Sequence, residues 1–173
     1  MSRFRPLGDL LRPMKLKDLP QVLQWRNHPD IRRFMFSQHE ISEDEHRHWF
    51  KNAEQNHDKH LMMFEADGKA SGFVQFTQLN RKPVVNWGFY LAPGSSKGTG
   101  DRLGKAALDF AFAKLNLHKV CGQALAYNQA SIRFHQRHGF RQEGIFREQH
   151  YDGRIFHDVL HFGLLKSEWP VND

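Results

Sequence analysis

The stretch 86-NWGFYLAPGSSKGTGDRLGKAAL-108 decides the fold class. Its aromatic, apolar opening breaks at Pro93, a loop of Gly, Ser and Lys follows, and an Ala- and Leu-rich segment then begins. A strand, a glycine loop and a helix in that order commonly hold a phosphate, because unpaired N–H groups and the positive end of the helix dipole meet there. Gly98 and Gly100 permit close approach and unusual dihedrals, and Lys97 and Arg102 add charge. A dinucleotide fold needs Gly-x-Gly-x-x-Gly, but Gly98, Gly100 and Gly104 leave one residue too many between the second and third. A P-loop fails as well: Thr99 occupies its first glycine position, and Ala106 the hydroxyl position that would ligate magnesium. Two readings stay open at this level. One is a metal-free loop offering main-chain N–H groups to a pyrophosphate; the other is a plain turn before a helix.

Outward from this stretch the elements are short and regular. "LLRPMKLKDLPQVLQWRNHP" reads as an edge strand and a helix capped by Asp18, with Pro20 in the first turn and the helix ending before Pro29. "SEDEHRHWFKNAEQN" is a second helix with Ser42 as N-cap and Glu45 three residues on, turning Trp49 and Phe50 inward. "HLMMFEADGKASGFVQFTQL" gives two strands about Asp67-Gly68, and "PVVNWGFYLA" a third. A helix from about Gly100 to Leu115 carries Leu103, Ala106, Ala107, Phe110 and Ala111 at helical spacing. "HKVCGQALAY" is a strand, Asn128 caps a helix that stops at Gly139, and the remainder is a hairpin around Asp152-Gly153. The order predicts one domain over residues 1–173, a mixed α/β (α+β) fold.

The 173 residues include 25 Lys plus Arg against 19 Asp plus Glu, a net charge of +6 that favours anionic partners. The basic residues are interspersed and no RNP-like stretch occurs, so no nucleic acid is expected. No segment approaches the ~18 apolar residues of a membrane span, and no leader-like apolar run opens the chain, so a cytoplasmic protein without a membrane partner is expected. The lone Cys121 forms no internal disulfide and reads as a buried thiol. His46 and His48 diverge on a helix, so no metal site is expected there. A monomer or a homodimer is expected.

Downstream of "KGTG", residues Asn128, Ser131, Ile132, Phe134, His135, Gly139 and Phe140 spell NxxSIxFHxxxGF. Together the two segments resemble the acyl-CoA-dependent N-acetyltransferases of the GNAT superfamily. Their loop reads Q/R-x-x-G-x-G/A and their later helix N-x-x-A-x-x-x-Y-x-x-x-G-F. The resemblance covers about residues 84–165, with Ser95 where Gln or Arg is usual. It implies a mostly antiparallel, twisted sheet splayed at the cofactor site. The cosubstrate would be acetyl-CoA, held by Tyr90, Leu91, Lys97, Gly98, Thr99, Gly100, Asp101, Arg102, Gly104, Asn128, Ser131, Phe134 and His135.

The segment "WRNHPDIRRFMFSQHEIS", followed by His46 and Trp49, is similar to the acetyltransferases of pseudaminic acid biosynthesis, which carry an F-R-N-H-P…M-Y-S stretch. That resemblance implies acetylation of the 4-amino group of a UDP-linked amino dideoxy sugar, a precursor for flagellin glycosylation. Arg26, His28, Met35, Phe36, His46, Trp49, Thr77 and Tyr90 would face this acceptor. Acetyl transfer needs a neutral amine, a donor to the thioester oxygen and a proton for the thiolate. A main-chain N–H near Leu91 would serve the oxygen. His135 stands where the superfamily often has a Tyr general acid, and a packing role is its alternative. Gln123 stands where some relatives carry a Glu base, which leaves His46 or a water chain as base. Two rivals are a ribosomal-protein N-terminal acetyltransferase and a non-catalytic acyl-CoA-binding module.

Overall fold

In the computed structural model, which describes residues 8–80 and 82–170, the strands are β1 (Leu10–Pro13), β2 (Lys59–Ala66), β3 (Lys69–Gln78), β4 (Val84–Leu91), β5 (Lys119–Leu125), β6 (Arg141–Tyr151) and β7 (Phe156–Leu165). The helices are α1 (Leu19–Asn27), α2 (Pro29–Arg32), α3 (Glu43–Glu54), α4 (Thr99–Asp109) and α5 (Gln129–Arg137). The expectation of no leader rests partly on residues 1–7, outside the described residues. No helix among the described residues is long and apolar enough to cross a membrane.

The strands form one sheet in the order β1-β2-β3-β4-β5-β7-β6. Asp67 and Gly68 both take positive φ (53° and 79°), the left-handed pair that a two-residue hairpin turn needs. Alternation along the strands then sorts side chains onto two faces. Met62, Phe64, Val74, Phe76, Val85 and Trp87 pack with α4 and α5 through Leu103, Ala107, Leu108 and Phe134. Met63 and Phe73 pack on the opposite face with Leu19, Val22, Trp25 and Phe50 of α1 and α3. The sheet is therefore the middle layer of three.

All strand pairs are antiparallel except β4–β5, which pair in parallel over only Val84–Asn86 and Lys119–Cys121. Beyond Asn86 the two strands part, and the splayed sheet of the sequence reading is present. The chain crosses between them through α4, whose α-helical part ends at Asp109. The expected continuation to Leu115 is a wider π-type turn (Phe110–Lys114), closed by the Leu115 N–H donating to the Phe110 carbonyl at 3.0 Å.

Two local expectations fail. Cys121 is half-buried, not buried, and its thiol is pushed up by that partial burial. Asp18 precedes α1 but its carboxylate does not cap the helix. It accepts from Arg12 at 2.8 and 2.9 Å and from the Lys15 N–H at 2.8 Å, tying β1 to the start of α1. An arginine within reach outcompetes a helix amide because both partners are charged.

The Arg12 guanidinium holds the Asp18 carboxyl below its ordinary range against the opposing effect of burial. Because the folded value is depressed, this stabilisation is full above the unfolded pKa of about 3.9 and fades as pH falls through the folded value. Asp18→Asn should cost about 2 kcal/mol at pH 7, less than the 3–5 of a fully buried pair because Arg12 keeps some solvent contact. Urea unfolding of both proteins should show the gap closing as the pH drops below about 4.

Candidate active site

Where β4 and β5 part, a cleft of about 950 Å³ opens through the sheet. Its direction is set by main-chain geometry. The Ala92 N–H donates to the Ser71 carbonyl at 2.9 Å and so points toward β3. Successive N–H groups along a strand alternate sides, so those of Leu91 and Phe89 face the gap. Both residues line the cleft, as does Tyr90.

One wall comes from the glycine loop and α5. Gly98 is left-handed (φ +91°) and turns the chain into α4, whose first-turn amides have no preceding helical turn to bond. Gly100 lines the cleft, and a Cβ added there would meet only Leu91 Cδ1, at 3.5 Å, so the space before it is open. Asn128 caps α5 by accepting from the Ser131 N–H at 3.2 Å, and Asn128, Ser131, Phe134 and His135 all face the cleft. A left-handed glycine, an open approach at Gly100 and a helix N-terminus together fit a pyrophosphate-bearing cosubstrate.

Several residues expected at the cofactor lie elsewhere. Lys97, Gly98, Thr99, Asp101, Arg102 and Gly104 do not line the cleft. Arg102 is clamped by Asp9 and Asp67, with contacts of 2.5 and 3.1 Å, so its charge is already met. Asp101 pairs with Arg137 at 2.9 Å, and Thr99 is buried with its hydroxyl 3.1 Å from that of Ser96. A Cβ on Gly104 would overlap His138 and Phe134, so this glycine serves the close crossing of α4 on α5.

The other wall carries most of the residues expected at the acceptor. Arg26, Met35, Phe36, His46, Trp49 and Thr77 line the same cleft, whereas His28 does not. The His28 Nδ1 accepts from the Asp30 N–H at 3.2 Å, capping α2, and its side chain faces a smaller groove between α1 and α3. Arg26 Nη2 donates to the Ser37 carbonyl at 2.7 Å. Its Nη1 is buried with no hydrogen-bond partner among the described residues. His46 is 5% exposed and stacks on Trp49, ring centres 5.0 Å apart. Burial, and then the Arg26 charge, push its pKa below the ordinary value, so the ring is neutral at pH 7. Burial likewise pushes the Tyr90 phenol up, and it stays protonated.

His135 departs from the general-acid reading. It is 1% exposed, its Nδ1 lies 2.8 Å from the Ser131 carbonyl oxygen, and its Nε2 lies 3.1 Å from the Trp87 indole Nε1. A carbonyl only accepts and an indole N–H only donates, so Nδ1 carries the proton and Nε2 is bare. Burial lowers the pKa to about 4. The ring has no proton on Nε2 to hand to a thiolate at neutral pH.

Gln75, Asn86 and Arg137 also line the cleft and were missed. Phe73, Gln75 and Thr77 alternate along β3, so naming Thr77 could have found Gln75 by its period of two. A contact made by Tyr127 was missed as well. The Tyr127 hydroxyl donates to the Arg33 carbonyl at 3.0 Å and accepts from Gln38 Nε2 at 3.0 Å. It joins the segment from Arg33 to Gln38 to the turn before α5, a long-range contact with no local signature.

The family model described as "Acetyltransferase (GNAT) domain" matches residues 10–141. The chain is 26% identical over 124 residues to the acetyltransferase PseH of Campylobacter jejuni, covering 72% of this chain and 77% of that protein. It is 23% identical over 168 residues to the spermidine N(1)-acetyltransferase of Escherichia coli (strain K12), covering 92% and 87%. The crystal structure of spermidine N-acetyltransferase from Vibrio cholerae in complex with CoA and spermine shares the fold, with a TM-score of 0.85 at 24% identity, covering 93% and 97%. With that model spanning the loop, the splay and the first part of α5's following strand, the chain belongs to the GNAT acetyltransferase family.

Proposed function

We propose that this acetyltransferase moves the acetyl group of acetyl-CoA onto the 4-amino group of a UDP-linked amino dideoxy sugar. The observation that carries the reading is Arg26, a cation in the acceptor half of the cleft whose Nη1 is buried without a partner among the described residues. A buried donor on a charged group is costly unless a ligand satisfies it, and a phosphate or base edge accepts the directed bonds a guanidinium offers. Trp49, Phe36 and Tyr90 add flat apolar surface for a uracil or sugar ring. The resemblance of residues 25–42 to the pseudaminic acid acetyltransferases supports the same acceptor.

Acetyl-CoA supplies the acetyl group as a thioester. The Leu91 N–H donates to the carbonyl oxygen as it gains charge, and the Phe89 N–H faces the same gap. Neutral His46 takes the proton that the attacking amine loses, which Gln123 cannot; as the C–N bond forms and the C–S bond breaks, coenzyme A leaves as the thiolate and takes its proton from solvent. Gly100 and the Asn128-capped start of α5 seat the pyrophosphate arm.

A polycationic acceptor is the second reading, favoured by Asp30 and Glu45 on the cleft wall. Glu45 is already paired with His39 at 2.9 Å, and Asp30 with Arg33 at 3.8 Å, whereas Arg26 has no carboxylate partner among the described residues and its Nη1 has no hydrogen bond. The acceptor test is direct: turnover of a UDP-4-amino sugar, spermidine and a ribosomal N-terminal peptide, read by coenzyme A release. The sugar nucleotide should be acetylated fastest, and faster turnover of spermidine or peptide would overturn the assignment.

Three variants probe the parts. Arg26→Lys should raise the sugar-nucleotide KM about tenfold, the loss of one well-placed charged hydrogen bond, and leave the acetyl-CoA KM alone. Gly100→Val should weaken acetyl-CoA binding at least tenfold by calorimetry in a normally folded protein, because its branches enter the open approach. His46→Ala should lower kcat by about 100-fold and flatten the acid limb of the pH–rate profile. In the wild type that limb should lie below the ordinary histidine value of about 6.5, since the base is active only when neutral and its pKa is depressed.

A further inference from the structure

His135 sits at the point where β4 and β5 cease to pair. Asn86 and Cys121 are the last parallel partners, and Trp87 and Gly122 follow them on either strand. A Cβ on Gly122 would overlap both the His135 ring and the Trp87 indole nitrogen, so the imidazole reaches the bare backbone of β5. The ring lies parallel to Phe162 of β7, 4.8 Å apart at 9°, and edge-on to Phe140, 5.0 Å apart. Phe89 and Phe134 stand 5.8 Å away, and His138 is the charged-when-protonated neighbour on its own helix. Helix α5, strand β4 and strand β7 thus all converge on one side chain.

We propose that His135 is a positioning residue, a hydrogen-bonded wedge that fixes the width of the splay by linking the Trp87 indole to the Ser131 carbonyl across Gly122. Its two bonds have opposite sense: Nδ1 donates to α5 and Nε2 accepts from β4. Protonating Nε2 would set two donors face to face, so the wedge works only with a neutral ring. Trp87 and Ser131 flank the gap that Phe89 and Leu91 face, so the wedge sets where those amides stand relative to α5. This rests on the acetyltransferase reading of the cleft only for its activity readouts.

The wedge and an acid make opposite demands on substitutions. A glutamine offers one N–H to Ser131 and one oxygen to Trp87 and so can replace the wedge, but it cannot donate a proton usefully. A tyrosine can donate a proton, but its single hydroxyl cannot bridge both partners and its ring is crowded by Gly122. His135→Phe should lower kcat at least tenfold. His135→Gln should recover to within about threefold of wild type with the same pH–rate profile, and His135→Tyr should not recover. Recovery by Tyr and not by Gln, or loss of one limb of the profile in His135→Gln, would overturn the proposal. Nitrogen-15 NMR of the unmodified protein tests it without any substrate. The His135 Nδ1 should be protonated and Nε2 bare, with no titration between about pH 5.5 and 9. A His135 that titrates in that range, or that carries its proton on Nε2, would sink it whatever the acceptor proves to be.

Discussion

The parting of β4 from β5 after three paired residues is the constraint on which everything else depends. A sheet interior normally satisfies every main-chain N–H and carbonyl through its neighbours. Here a central strand leaves one edge unpaired from Trp87 onward, in a layer covered by helices on both faces. That is an unstable arrangement for an empty gap and a suitable one for a linear polar ligand, which can pair with the exposed edge as a strand would. The left-handed Gly98, the turn of the chain into α4 and the capped start of α5 all stand at the mouth of the same gap.

Side-chain packing holds the gap open. Trp87 and Phe140 stack 5.2 Å apart, Phe89 and Phe134 lie 4.4 Å apart, and His135 is layered on Phe162. Rings of this size cannot collapse into the space that a pair of strands would occupy. Large aromatic residues on β4 and small ones on β5, Gly122 above all, give the opening a fixed width.

Much of this was legible in the sequence because it is local. The Asp67-Gly68 turn, the Ser42 and Asn128 caps and the Gly139 stop are written in single residues or pairs, and all stand as read. The glycine loop and the NxxSIxFHxxxGF helix are local too, and they located the cleft. What stayed hidden depends on partners distant in the chain. Arg102 looked like a phosphate ligand until Asp9 and Asp67 met it from 93 and 35 residues away. Asp18 looked like a cap until Arg12, only six residues upstream on β1, took its carboxylate, a contact that spacing alone does not announce. His135 looked like an acid because its position matched a motif, yet its proton inventory is set by Trp87, 48 residues upstream. Charge and tautomer are properties of a neighbourhood, and a neighbourhood is assembled only by folding.

Tyr127 lies between the end of β5 and the cap of α5, and its hydroxyl holds both the Arg33 carbonyl and the Gln38 amide. The loop that carries Met35 and Phe36 is thereby fastened to the short turn that leads into α5. Displacing either segment must therefore strain or break the Tyr127 bonds that hold the other.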